Sequence, residues 1–243
     1  MGLMHDKVVL ITGAASGIGA DCALLFAQKG ARCVFLVDEE YGGVESMSLS
    51  IAAKTGVECI PLKADLTRER DIKTVFDVVR DRIETLDILI NCTGRPDSAS
   101  DEDTDIEMWD FISGQGLRSA FIFSREAVKL MKKLRSGTII SVLPQPEGRS
   151  EVPAVTEDYS SAREGLVYLT KTMAKKAGKY GITVKGVAAK VLDKQLSGVN
   201  SDSIKAFDDT AKKEIADTVL FLASEHARYM TGMCIDVDCP LAM

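Results

Sequence analysis

The stretch Val8–Gly19, Val-Val-Leu-Ile-Thr-Gly-Ala-Ala-Ser-Gly-Ile-Gly, constrains this chain more than any other. Four apolar, mostly β-branched residues stop at Thr12-Gly13. Glycines follow at Gly13, Gly17 and Gly19, and a helical spacing then opens with Ile18, Cys22, Leu25 and Phe26 and closes at Gly30. That order reads as a buried parallel strand, a glycine turn and a helix start. The turn gathers backbone N–H groups and the positive end of a helix dipole at one point, which suits an anionic pyrophosphate. Its glycines let the backbone approach the ligand and let the helix settle on the sheet, with Ser16 and Ile18 in the same turn.

The rest of the chain repeats the alternation. Strands are expected at Lys7–Thr12, Arg32–Asp38, Glu58–Pro61, Asp87–Asn91, Gly137–Val142, Thr183–Ala188 and Met233–Val237. Helices are expected at Gly17–Lys29, Gly42–Lys54, Glu69–Ile83, Ile106–Leu134, Glu157–Tyr180 and Lys213–Ser224. The helix at Glu69–Ile83 shows one apolar face, Ile72, Val75, Phe76 and Val79. Such an order implies βαβ units and an α/β fold with a parallel sheet of about seven strands, helices on both faces and right-handed crossovers. No linker or repeat interrupts it, so residues 1–243 read as one domain. The polar, irregular stretch Leu192–Phe207, with one possible short helix, reads as a short substrate lid, about 190–210.

Composition narrows the function classes. The 243 residues carry a net charge of −6 with both signs scattered, which excludes a clustered basic surface for nucleic acid. No apolar run is long enough to span a membrane, and Met1–Lys7 has no hydrophobic signal core, so a cytoplasmic protein is expected. The six cysteines lie mostly within apolar segments and form no Cys-x-x-Cys pair. With only two histidines beside them, reduced buried thiols are expected and a metal site is not.

In an open α/β sheet the ligand lies beyond the carboxyl ends of the strands. The residues there are Gly13–Gly19, Asp38, Asp65-Leu66, Asn91–Gly94 and the loop after the fifth strand. Asp38 falls nineteen residues after Gly19, where a carboxylate accepts hydrogen bonds from ribose hydroxyls and repels a 2′-phosphate. That favours NAD(H) over NADP(H); the competing reading of Asp38 is a solvated loop acid. Asp65 either caps the following helix or reaches an adenine edge.

Thr12-Gly13-x-x-x-Gly17-x-Gly19, Asp65-Leu66, Asn91-x-x-Gly94, Tyr159 followed by Ser160-Ser161-Ala162, and Thr231-Gly232 together resemble the short-chain dehydrogenase/reductase family, from about Lys7 to Val237. The resemblance implies a single Rossmann-type doubly wound sheet, a nicotinamide cofactor, a small-molecule substrate and a tyrosine acid/base. It also implies a homodimer or homotetramer built through the helices at Ile106–Leu134 and Glu157–Tyr180. Ser161, Ala162 and Gly165, beside Leu166, Leu169 and Met173, offer a surface for such contact, with packing inside one chain as the competing use.

The catalytic half departs from the family. The residue four after Tyr159 is Arg163, where the family has lysine. Four residues share a helix face, so a positive charge still stands near the phenol. Bringing a tyrosine from about 10 to about 7 takes roughly 4 kcal/mol, and a planar guanidinium does not reproduce an ammonium's contacts. The family serine falls at Pro144, which has neither hydroxyl nor N–H. Ser141, an odd step away, is expected to replace a structural asparagine, and Thr156 and Ser150 are loop substitutes. The relay asparagine falls at Gly116, beside Gly114, where two glycines suggest a kink or a close contact; Gln115 is a candidate donor in its place. Ala189-Lys190 replaces a Pro-Gly, with Lys194 where a threonine is usual. Of the side chains near the pocket, Trp109 reads as packing and Asp101-Glu102-Asp103 as solvated.

Three readings remain open. One is an NAD(H)-dependent oxidoreductase interconverting an alcohol and a carbonyl, with Tyr159 as acid/base and Arg163 assisting. The second is a nucleotide-binding subunit with little or no turnover. The third is a non-redox acid/base enzyme on the same fold.

Overall fold

In the first strand, β1 (Val8–Thr12), every residue is buried. Its side chains alternate between two cores: Val9 and Ile11 enter one, Val8 and Leu10 the other. A strand buried on both faces is the signature of a parallel sheet covered by helices on each side. The computed structural model describes residues 2–92, 106–145, 157–190 and 201–237.

The remaining strands are β2 (Cys33–Asp38), β3 (Glu58–Lys63), β4 (Ile88–Asn91), β5 (Gly137–Gln145), β6 (Ile182–Lys190) and β7 (Cys234–Val237). They form one parallel sheet in the order β3-β2-β1-β4-β5-β6-β7. The order reverses between β1 and β4, which opens a crevice at their carboxyl ends. The helices are α1 (Gly17–Gln28), α2 (Tyr41–Thr55), α3 (Glu69–Arg82), α4 (Ile106–Ile112), α5 (Ser119–Leu134), α6 (Glu157–Ala177) and α7 (Ser201–Ala223). Residues from α1, α2 and α7 join the first core. Those from α3, α5 and α6 join the second, where Phe76 and Phe123 stack tilted with centroids 5.8 Å apart. The expected face of α3, Ile72, Val75, Phe76 and Val79, is buried there.

Four differences from the sequence reading have physical causes. The long helix expected over Ile106–Leu134 is broken by a π-helical turn, Ser113–Arg118, which contains both glycines. β5 runs past Val142 through Pro144 to Gln145. Its pairing with β4 ends at Asn91 opposite Ser141, so Pro144 pairs only with Ala189 of β6 and its missing N–H interrupts no bond to β4. β3 likewise runs past Pro61 to Lys63. Finally, α7 begins at Ser201, so the short helix possible in the lid and the helix expected from Lys213 are one continuous helix; the lid's first half, through residue 200, lies outside the described residues.

Candidate functional site

β1 hands the chain to α1 through a tight turn at the mouth of the crevice. Gly13 and Gly17 adopt φ of 63° and 58°, the left-handed region that penalises a Cβ. A Cβ on Gly19 would lie 2.1 Å from the Gly13 carbonyl oxygen, so α1 sits against the strand end only because none is there. A Cβ on Gly17 would meet nothing within 4 Å: the turn fronts open space. Ser16 is the exposed N-cap residue of α1 and makes no side-chain cap bond; Ile18 is half-buried in the first turn. The first N–H groups of a helix have no intrahelical partner, so this space is bordered by donors and a positive helix end. A pyrophosphate fits that cradle.

Asp38, at the end of β2, ties three segments together. Its Oδ2 accepts from the Ala15 N–H (3.1 Å), its Oδ1 from the Glu40 N–H (3.2 Å), and its carbonyl from the Ala64 N–H (3.0 Å). The carboxylate is thereby aimed at the turn and keeps lone pairs for further donors. Asp65 is occupied differently. Its Oδ1 accepts from the Thr67 hydroxyl (2.6 Å) and the Thr67 N–H (2.9 Å), and Arg68 Nε lies 2.8 Å from its other oxygen. These contacts, the Thr67 hydroxyl first, hold its carboxyl below the usual range. Asp65 thus closes an Asx-turn that leads into α3, the local structural role rather than a free edge.

Glu39 is the residue the sequence reading passed over. Its Oε1 accepts from the Leu66 N–H (3.3 Å) and from Gln115 Nε2 (2.7 Å). Burial, with the nearby carboxylates of Asp65 and Asp38, pushes its pKa up despite the Leu66 bond. The π-helical turn therefore delivers Gln115 to the end of β2, not to a proton relay. The available signal was the run of three acids, Asp38-Glu39-Glu40, directly after an apolar strand.

Under the crevice, Asn91 at the end of β4 donates through Nδ2 to Ser124 and Ser141 hydroxyls, both at 3.3 Å. Ser141 is thus tied into the sheet beneath the crevice. The Asn91 Oδ1 is buried without a partner among the described residues. Cys92 donates its N–H to Thr12 Oγ1 (3.2 Å), fixing the β4 end to the β1 end. Gly94, Ser150 and Thr156 lie outside the described residues.

The residues that the sequence assigns to catalysis are described in part. The backbone of Tyr159 lies in the first turn of α6, and its side chain lies outside the described residues. Arg163, one turn on, pairs with Glu164 (2.7 Å) and stands 3.9 Å from Asp236 of β7, while its Nε is buried with no partner among the described residues. Gly116 sits in the π-helical turn, and a Cβ there would meet nothing within 4 Å. Gly165 of α6 is different: a Cβ would lie 2.6 Å from Leu117 Cδ2, so this small residue serves contact within the chain. Ala162 and Leu166 are likewise buried within it. Trp109 is partly exposed on α4.

A groove of about 830 Å³ lies between the π-helical turn, α5 and α6, lined by Leu117, Phe121, Gly165, Tyr168 and Leu169 among others. None of Gly13–Gly19 borders it, so it is separate from the crevice. Phe121 and Tyr168 are exposed there. No described helix is long and apolar enough to cross a membrane.

Comparisons with known proteins agree with this geometry. Residues 13–240 match the family described as Enoyl-(Acyl carrier protein) reductase. The chain is 30% identical to a 3-oxoacyl-acyl-carrier-protein reductase of Thermotoga maritima, over 97% of each chain. It is 29% identical to short-chain dehydrogenase reductase 5 of Arabidopsis thaliana, over 97% of this chain and 94% of the relative. Among solved structures, a short-chain type dehydrogenase/reductase from Mycobacterium marinum superposes with a TM-score of 0.83 at 24% identity, covering 98% of this chain and 97% of that one.

Proposed function

Since the chain belongs to the short-chain dehydrogenase/reductase family of oxidoreductases, we propose that it binds NAD(H) in the crevice at the carboxyl ends of β1, β2 and β4 and interconverts an alcohol and a carbonyl. The observation that carries the reading is the Asp38 carboxylate, held between the Ala15 and Glu40 amides at the rim of the glycine turn. The amides of Ser16–Gly19 hold the pyrophosphate, and Asp38 accepts from the ribose hydroxyls. Leu66 and Asn91 line the remainder of the cofactor's path, Asp65 shapes the turn beside them, and the sequence motif assigns Gly94 to the same site. Asp38, Glu39 and Glu40 in succession repel a 2′-phosphate, so NAD(H) is preferred over NADP(H). When bound, the nicotinamide ring donates or accepts the hydride. Tyr159 exchanges the proton on the substrate oxygen, and Arg163 keeps positive charge one turn away on the same helix.

A second reading, a nucleotide-binding subunit with little turnover, is favoured by one observation. Arg163 points its guanidinium at Glu164 and Asp236, so two carboxylates compete for the charge that the phenol needs. Both readings require dinucleotide binding and differ in chemistry. A panel of ketones and alcohols assayed with NADH and NAD separates them. The oxidoreductase reading expects turnover that falls by about a hundredfold or more in Tyr159→Phe, the usual worth of a positioned acid/base. Turnover that is absent in the native chain, and that appears in the triple variant Gly116→Asn, Pro144→Ser, Arg163→Lys, supports the second.

The groove beside α6 suits a second copy of the chain. Exposed Phe121 and Tyr168 flank a floor of Leu117 and Leu169, an apolar strip on the two helices expected to mediate assembly.

A further inference from the structure

Three carboxylates stand in a row where β2 ends, and each goes its own way. Asp38 turns its oxygens to the Ala15 and Glu40 amides. Glu40 is the N-cap residue of α2, and its carboxylate lies over the first turn of that helix, where a Cβ on Gly43 would come 3.3 Å from Oε2. Glu39 reaches instead toward the turn after β3. Its Oε1 takes the Leu66 N–H at 3.3 Å and Gln115 Nε2 at 2.7 Å, and no described residue donates to its Oε2. Asp65, next to Leu66, is closed into its own turn by Thr67 and Arg68. Arg118 fastens the π-helical turn to the same place by donating to the Thr67 carbonyl at 2.7 Å. Glu39 is thus an exposed carboxylate anchored through one oxygen to two distant segments, with its other oxygen facing none of the described donors.

We propose that Glu39 reads the base of the dinucleotide: its carboxylate accepts from the 6-amino group of adenine and makes the crevice selective for adenine over a 6-oxopurine. This role rests on the NAD(H) site proposed above and adds the base that the site selects. A ribose held by Asp38 carries its base on the carbon next to the 2′-position, so the base lies beside the following residue of the same strand end. Adenine's ring nitrogens accept hydrogen bonds, and its 6-amino group donates them. An ionised carboxylate accepts only, so it meets adenine at that amino group. Hypoxanthine puts an acceptor oxygen there, and its nearest donor, the N1–H, lies one ring position away. The bonds from Leu66 and Gln115 keep the Glu39 carboxylate from following it. Two acceptors left face to face weaken binding. Burial, with the Asp65 and Asp38 carboxylates close by, pushes the Glu39 pKa up, and a donor at this carboxylate offsets both.

The test compares NADH with the reduced form of nicotinamide hypoxanthine dinucleotide, which differs from it in the purine alone. Both are titrated through the fluorescence of the same dihydronicotinamide. The native chain should bind NADH about tenfold or more tightly than the hypoxanthine analogue. Glu39→Gln keeps the side chain's length and its acceptor toward Leu66 and Gln115, but places an N–H donor where Oε2 stood. In that variant the preference should vanish or reverse. Glu39→Ala, at the same exposed position, should also bring the ratio toward one. A side chain that only held the fold would weaken both coenzymes alike and leave their ratio unchanged. A native ratio near one, or a ratio that both variants keep, overturns the role of Glu39 while NADH binding stands. If the native chain binds neither coenzyme, the NAD(H) site falls, and the role of Glu39 falls with it.

Discussion

Asp38 shows how much one side chain can specify. Its carboxylate has two backbone donors, one from the glycine turn and one from the start of α2, and that pairing fixes where its remaining lone pairs face. Replacing it with serine removes a full negative charge from the rim while keeping a hydroxyl to bond the ribose. Asp38→Ser should therefore improve NADPH binding relative to NADH by about tenfold or more, since a charge pair near a protein surface is worth on the order of 1–4 kcal/mol. Titration of both coenzymes against native and variant protein reads that ratio; an unchanged ratio would mean that Asp38 does not meet the ribose. Asp38 was legible from spacing, because strand length and turn length together fix it. Glu39 was not, because its partners, Leu66 and Gln115, come from distant segments that only the folded sheet brings together.

At the scale of elements, the join between β6 and α7 holds a buried cation. Lys185 of β6 has no exposed surface, and its ammonium donates to the Leu222 carbonyl in the last turn of α7. The negative end of that helix favours the charge, but burial disfavours it more and lowers the pKa from its ordinary 10.5 to about 8, against the opposing pull of Glu225. A lysine depressed in the folded state binds fewer protons there than in the unfolded chain. The contribution of Lys185 to stability therefore rises as pH climbs from about 8 toward 10.5, by on the order of 2 kcal/mol, and the charge is a liability below that window. Buried thiols such as Cys33, whose pKa burial pushes up to about 12, act with the opposite sign near pH 10 and are common to the native protein and Lys185→Met. Chemical denaturation of both at pH 7.5 and 10 (the latter about half a unit below lysine's reference value) should therefore show the stability difference between them move in favour of the native protein by that amount, and an unchanged difference would contradict it. Elements were the most legible level of the sequence. The seven strands and the buried stripe of α3 follow from periodicity alone. What periodicity missed has local causes. Pro144 reads as a strand end, yet it pairs with β6 alone. The paired glycines signal a disturbance in the helix without saying that it is a π-helical turn. The first half of α7 carries only Ile204 and Phe207 as large apolar residues before Ala211, too few to mark a face.

For the whole molecule, the comparisons cover nearly the full length of the chain, and the sheet superposes on that of a solved relative with a TM-score of 0.83. Gly13, Ser16, Gly17, Ile18, Gly19 and Asp38 come together at one crevice. In the proposed function, Gly116, Pro144 and Arg163 stand where the reaction would occur. The exposed strip around Phe121 and Tyr168 is expected to be covered by a second copy. Light scattering should give a dimer or tetramer that Tyr168→Asp dissociates, because a charge buried at an apolar interface without a partner is costly; a native monomer would remove that assignment. The claim on which the rest stands is that the glycine turn grips a dinucleotide, and calorimetric titration of the reduced protein with NADH tests it most directly. The expected result is one site per chain with a Kd below about 100 µM, tighter for NADH than for NADPH, and lost in Gly19→Val, whose side chain would collide with the Gly13 carbonyl. Absence of heat from either coenzyme at millimolar concentration, in a folded native chain, would contradict it.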